Sequence, residues 1–292
     1  MNKLVGTSIV YMICMLIWMS CGPKEEIRPQ SNAEVDRPEK DYLLPDIDLS
    51  NWKVTLPEGN PTEVKPPEIL DYATNPLLQK YMYNDSTDGS LVFYTYPGAS
   101  TRNSSYSRTE LREQMVPGSN SVNWTFEQGG RMKGTLALEE ISKDEEGDYH
   151  RTIIMQIHGR LTDEQRDLIG EDDNNAPPVL KIYWNKGRIR VHRKVLKDMK
   201  ASGPEILFTN AWKDEAVTLG EAVNFEKFTL EIIASSGRLE VILNHTDSVV
   251  FEDIHMEKWG VFENYFKAGN YLITKDDGAF ARVKYYELEV TH

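Results

Sequence analysis

The sequence predicts an all-β protein, a two-sheet sandwich or jelly roll. From residue 46 onward, short β-branched or aromatic runs alternate with Gly, Asn, Asp and Pro. Helical periodicity is scarce, and no repeat of fixed period runs through the chain. Many antiparallel strands with long loops in about 250 residues favour two packed sheets.

In chain order, strands are expected at 91–96, 132–138, 152–158, 180–184, 188–195, 228–233, 238–243 and 282–290. Asn185-Lys186-Gly187 and Ser235-Ser236-Gly237 each join two of them as a hairpin. A short helix is expected within 67–83. Thr162-Asp163-Glu164-Gln165 has capping-box spacing and marks a helical turn. Before the domain, residues 1–20 hold an apolar run behind Lys3, too short for a typical membrane span and suited to a signal peptide. Residues 21–45 are polar and proline-bearing and read as a flexible tether, which leaves 46–292 as the folded domain. The two cysteines, Cys14 and Cys21, both precede it, so that domain has neither a disulfide framework nor a cysteine zinc site.

Side chains alternate faces along a strand. Four segments place polar groups at that spacing. Tyr106, Arg108, Glu110, Arg112 and Gln114 share one face. Gln156, His158 and Arg160 share another, with Ile153, Met155 and Ile157 facing away. Arg188, Arg190, His192 and Lys194 form a cationic row, and Tyr265, Lys267, Gly269 and Tyr271 a fourth. Any one row could be the solvated face of a half-buried strand, and the cationic row could be edge protection. Together they are rich in Arg, His, Gln and Tyr, which bind anions and move protons.

The net charge of −13 argues at first against a polyanionic partner. Residues 181–200, however, hold eight Lys or Arg against the single acid Asp198. A sheet face carrying these rows would be a positive groove on a negative protein, fit for an extended polyanion. No paired carboxylates of glycosidase type appear in a strand context, and Glu110 between two arginines is an orienting residue rather than an acid. The six histidines lack metal-ligand spacing, and Glu171-Asp172-Asp173 reads as a solvated loop. No cofactor or metal is expected. The remaining set of Arg, Gln, His and Tyr suits β-elimination from a uronic acid polymer. In that reaction donors must neutralise a carboxylate before the adjacent C5 proton can leave.

Arg108-Thr109-Glu110-Leu111-Arg112, Gln156-Ile157-His158 and Tyr265-Phe266-Lys267-Ala268-Gly269-Asn270-Tyr271 resemble, in order, three motifs of polysaccharide lyase family seven, the alginate lyases. The opening Asp48-Leu49-Ser50-Asn51-Trp52-Lys53-Val54-Thr55-Leu56-Pro57 is similar to that family's usual start. The resemblance implies a β-jelly roll with its active site in a concave groove. By position it implies that Arg108 and Gln156 neutralise the substrate carboxylate and that His158 and Tyr271 handle protons. Arg112, Tyr265 and Lys267 would bind substrate, with Glu110 orienting the arginines. We extend the subsites to Lys181, Arg188, Arg190 and His192. The Ile form of the QIH motif implies bonds that involve guluronate. Ile273 stands where the family often has Gln. The stretch 160–179 looks long and is expected to wall off one end of the groove. Ser20-Cys21-Gly22 resembles a bacterial lipoprotein cleavage site, with Cys21 as the lipidated residue, and Lys24-Glu25-Glu26 an export signal of surface lipoproteins.

The expected partner is alginate or a related polyuronate, with membrane contact through a lipid anchor only, no nucleic acid, and a monomeric state. The expected location is the bacterial cell envelope, or secretion. A non-catalytic polyuronate-binding module and a lyase for another polyuronate such as glucuronan remain as alternatives.

Overall fold

The computed structural model describes residues 45–292. The signal-like run, Cys21 and all but the last residue of the tether lie outside the described residues.

Two sheets form the domain, numbered here by strand in chain order. The grooved sheet runs β12 (Trp212–Ala222), β11 (Arg188–Leu196), β10 (Asn175–Asn185), β9 (Arg151–Arg160), β16 (Glu263–Leu272), β6 (Arg108–Glu113), β2 (Trp52–Thr55) and β3 (Glu63–Val64), with β7 (Trp124–Thr125) added to β16. The back sheet runs β15 (Asp247–Glu252), β14 (Arg238–Leu243), β13 (Phe228–Ser235), β8 (Gly130–Ile141), β17 (Ala281–Thr291), β5 (Ser90–Thr95) and β4 (Met82–Asp85), with β1 (Asp46–Ile47) on β17. The all-β sandwich expected from the sequence is therefore the observed fold. All eight anticipated strands are present, most of them a few residues longer. Lys186 and Gly187 both have positive φ, the conformation that a two-residue type I′ hairpin requires.

Two short α-helices punctuate the loops. In α1 (Asp163–Ile169), the anticipated capping box is made in full by Thr162 and Gln165. The region 67–83 holds two 3-10 turns, Glu68–Asp71 and Leu78–Lys80, instead of an α-helix. α2 (Ile254–Trp259) was not anticipated; its N-cap Asp253 accepts from the backbone N–H groups of His255 and Met256.

The core fills the space between the sheets, with Phe93, Tyr285, Phe266, Trp124 and Met155 fully buried. Two polar residues, Asn270 and Tyr285, cross it. Asn270 donates to the Phe93 and Ala281 carbonyls and accepts from Thr152 Oγ1. Every side-chain polar atom of this buried amide thus has a partner, as burial demands. Asn270 ties β16 to the back sheet directly beside Tyr271.

Tyr285 of the back sheet makes the second crossing, and it meets an irregularity. Between β9 and β10 the register skips Ile154: Met155 pairs with Ile182 but Ile153 pairs with Tyr183. This is a β-bulge, one extra residue on β9 that reverses the side-chain parity of the strand beyond it. The Ile154 carbonyl accepts from Tyr285 Oη at 2.5 Å, and Tyr285 Oη accepts from the Gly269 N–H at 3.1 Å. Gly269 has φ +136°, and a Cβ there would lie 2.6 Å from the Thr109 carbonyl, so the position tolerates only glycine. One buried hydroxyl therefore pins both irregular strands of the groove floor.

Candidate active site

All four polar rows lie on the outer face of the grooved sheet, the cationic one reaching the groove through His192. Strand pairing lines up Lys53, Arg112, Lys267, Gln156, Lys181 and His192 across six consecutive strands. Cations placed opposite one another repel, so the row requires buried acid. Glu110, 1% exposed, provides it. Its carboxylate accepts from Arg108 Nη1 at 3.2 Å and from Gln156 Nε2 at 2.5 Å, and it is paired with Lys267 Nζ. The Glu110 acceptor fixes the Gln156 amide with its nitrogen toward the carboxylate. Burial, opposed by Glu110 and reinforced by Arg108, lowers Lys267 to about 8.

Arg112 is not held by Glu110, against the expectation that this acid orients both arginines. It donates instead to the Glu113 carbonyl at 2.6 Å and to Asn123 Oδ1 at 2.9 Å, and its guanidinium lies 4.0 Å over the Tyr265 ring. The other face of Tyr265 stacks on His158, centroids 5.1 Å apart and planes 13° apart. Tyr265 is thus a spacer that sets the plane of the imidazole.

His158 Nδ1–H donates to the Gly159 carbonyl at 2.9 Å. That bond fixes the tautomer and leaves the lone pair on Nε2. Gly159 is needed here: a Cβ would approach the Pro177 carbonyl to 2.9 Å and Trp259 to 2.8 Å. Burial, followed by the charge of Lys267 and then of Arg108 and Arg112, pushes His158 down to about 3. The imidazole is therefore neutral and able to accept a proton through the whole neutral range. The acid limb of kcat/KM, which reports the free enzyme, is expected well below the ordinary imidazole value of ~6.5. A pH series on polyuronate checks this, and a limb near the ordinary value would refute it.

Tyr271 ends the row. Its ring lies under Arg108, 3.9 Å from the guanidinium carbon, and its hydroxyl is hydrogen-bonded to Ser104 Oγ. The groove has two halves, of about 510 Å³ and about 350 Å³. Asn103, Arg108 and His158 line both. Lys267, Tyr265 and Arg112 line the first, and Gln156, Tyr271, Lys181 and His192 the second.

The cationic row on β11 is more neutral than its sequence. Lys181 and Lys194 share Asp214 of β12, at 2.7 and 2.8 Å, and Arg193 pairs with Glu215 and Asp253. Arg188 donates to the Gly220 carbonyl. Arg188 and Arg190 share the groove-side face but line neither half of the groove, and Arg190 Nε is buried without a partner. His192 packs on Tyr183, centroids 4.6 Å apart; its Nε2 is unpartnered, and burial with the Lys181 charge lowers it to about 4. Of the first row, Gln114 turns aside to donate to Asn120 and accept from the Gly118 N–H.

Sequence periodicity missed Arg151, Ile153, Tyr183 and Ser104, which touch this half of the groove or its tyrosine. Ile153, expected to face away from His158, shares its side because of the Ile154 bulge. Only a break in parity could have signalled this, and the sequence carries none.

The stretch 160–179 carries α1 and a loop that lines the first half of the groove and reaches the loop before β6. Arg102 Nη2 reaches Asp172 at 3.1 Å, and Asn103 donates to Asp173 at 3.1 Å. The loop before β6 and the loop before β10 thereby meet over β16 and β9, forming a strap across the groove.

The alginate lyase family model matches residues 47–292. The chain belongs to the alginate lyase family. The alginate lyase of Klebsiella pneumoniae is 25% identical over 297 residues, covering 84% of this chain and 90% of its own length. Alginate lyase A1-II', a crystal structure described as a member of polysaccharide lyase family-7, is 29% identical with a TM-score of 0.66, covering 84% of this chain and 96% of its own. The Pseudomonas aeruginosa alginate lyase is 25% identical with a TM-score of 0.62, covering 84% of this chain and all of its own. The protein is accordingly an alginate lyase, and the face built by the motif rows is its candidate active site.

Proposed function

We propose that the protein cleaves alginate by β-elimination and leaves a 4,5-unsaturated uronate on the new non-reducing end. The observation that carries this reading is the charge balance around Glu110. Arg108 and Lys267 bring two positive charges to one buried carboxylate, and Arg112 beside them makes no ion pair among the described residues. A uronate carboxylate seated on Arg108 and Gln156 completes the balance and acidifies H5.

The atoms then balance as follows. His158 Nε2 takes H5, the C5–H electrons form the C4–C5 double bond, and the C4–O bond breaks. The departing glycosidic oxygen takes the Tyr271 phenolic proton. In guluronate, H5 and the leaving oxygen are anti, which requires two separate groups. In mannuronate they are syn, and Tyr271 alone could serve both ends.

We favour guluronate-containing bonds. The motif form Gln156-Ile157-His158 supports this, as does a variant of alginate lyase A1-II' solved in complex with substrate (GGMG), 28% identical with a TM-score of 0.64. Ile157 itself is fully buried, so any effect on block choice passes through the seating of His158 and not through contact with sugar. The test is ultraviolet absorbance of the unsaturated uronate on polyguluronate and polymannuronate. A faster rise on polyguluronate is expected, and a faster rise on polymannuronate would reject the preference.

For the N-terminus we propose a lipid anchor at Cys21 followed by a tether, placing the enzyme on the bacterial envelope. The support is the apolar run ending in Ser20-Cys21-Gly22. Fatty-acid labelling that disappears in Cys21→Ala is expected, and unlabelled wild-type protein would refute the anchor.

A further inference from the structure

We infer that Ser104 is a positioning residue for the proton that Tyr271 delivers, an inference that rests on the reading of Tyr271 as the proton donor. Ser104 sits on the strap loop, outside every motif row. Its hydroxyl donates to the Tyr106 carbonyl at 3.0 Å and lies 3.3 Å from the Tyr106 N–H. With its one hydrogen committed to that carbonyl, Ser104 Oγ can only accept from Tyr271 Oη. In the resting arrangement the phenolic hydrogen is thus turned toward the strap and away from the groove.

Proton delivery requires that arrangement to reverse. The Tyr271 O–H swings to the glycosidic oxygen, and the Ser104 O–H leaves the Tyr106 carbonyl for the Tyr271 oxygen. As the C4–O bond breaks, the proton passes from Tyr271 to the leaving oxygen. The phenolate that remains is then held by a Ser104 hydrogen bond. No proton travels through Ser104; it exchanges acceptor for donor. A hydroxyl can play both parts and a methyl can play neither. A hydrogen bond to a group that becomes charged in the transition state acts on kcat and not on substrate binding.

The strap gives this pairing a second property. The segment that carries Ser104 also carries Arg102 and Asn103, which bridge to Asp172 and Asp173 across the groove. The partner of the phenol is delivered by the same loop that crosses above the bound sugar.

The test compares Ser104→Ala, Ser104→Thr and Tyr271→Phe in steady-state kinetics on alginate, in water and in deuterium oxide. Ser104→Ala is expected to lower kcat about 10- to 100-fold, with KM within about threefold of wild type. Its solvent isotope effect on kcat should rise as proton transfer becomes more limiting. Ser104→Thr, which keeps the hydroxyl, should recover kcat to within about threefold. A loss carried by KM, or one that threonine does not rescue, would reduce Ser104 to a loop-ordering residue and overturn the inference. Wild-type kcat in Ser104→Ala beside an inactive Tyr271→Phe would overturn it while leaving the Tyr271 reading intact. An active Tyr271→Phe would overturn both.

Discussion

Replacing Glu110 with alanine is expected to lower stability by about 3–5 kcal/mol and to remove nearly all activity. Glu110 is the single acid beneath Arg108, Gln156 and Lys267, all three of them buried. Its removal leaves two cations out of water without a counter-charge, the situation in which broken buried pairs are most damaging. Lys267, already lowered to about 8 by burial, would lose the partner that raises it and shed its proton near neutrality. Arg108 and the Gln156 amide would lose the acceptor that aims them. A shift of the denaturation midpoint and the ultraviolet assay read the two effects separately. Destabilisation under about 1 kcal/mol would mean that the groove floor relaxes around the missing acid, contrary to its packing.

His158→Ala is expected to divide the two block types. On polyguluronate the rate should fall at least about 1,000-fold, the upper range for loss of a positioned base. On polymannuronate, where the proposed mechanism lets Tyr271 serve both the proton and the leaving oxygen, the fall should be at least about tenfold smaller. The ratio of rates on the two polymers is the quantity to measure. An equal loss on both would show that His158 serves one role whatever the epimer. His158 is a good target because it contributes little else: one bond to the next carbonyl and one ring face on Tyr265.

The strands and the four polar rows were legible because a half-buried strand writes its two faces into the sequence with period two. The limits of that reading are equally physical. At Ile154 the period breaks, and everything N-terminal to it on β9 changes sides, so Arg151 and Ile153 were invisible as groove residues. β12, Trp212–Ala222, is an edge strand exposed at most positions, with no apolar period to announce it. Missing it hid Asp214, and with it the pairing that neutralises Lys181 and Lys194. The excess of seven positive charges in 181–200 overstated the field at that end of the groove. Arg193, counted there too, faces the opposite way and lies 4.4 Å from the Phe251 ring. Ser104 lies in a loop, where no periodicity ranks one serine above another. The capping box of α1 was readable because its two residues contact each other locally.

The strap over the groove bears on how a polymer gets in. Its ion pair joins Arg102 and Asp172, whose side chains are 72% and 81% exposed. A pair so exposed contributes about 0–1 kcal/mol and weakens further in salt. Even with the exposed Asn103–Asp173 hydrogen bond beside it, a latch of that strength opens often on the timescale of loops, so long chains need not thread from a free end. Sideways loading at any point along the polymer is therefore the expected mode of entry. Long fragments early in a digest are the expected signature, and short oligomers alone from the outset would contradict it.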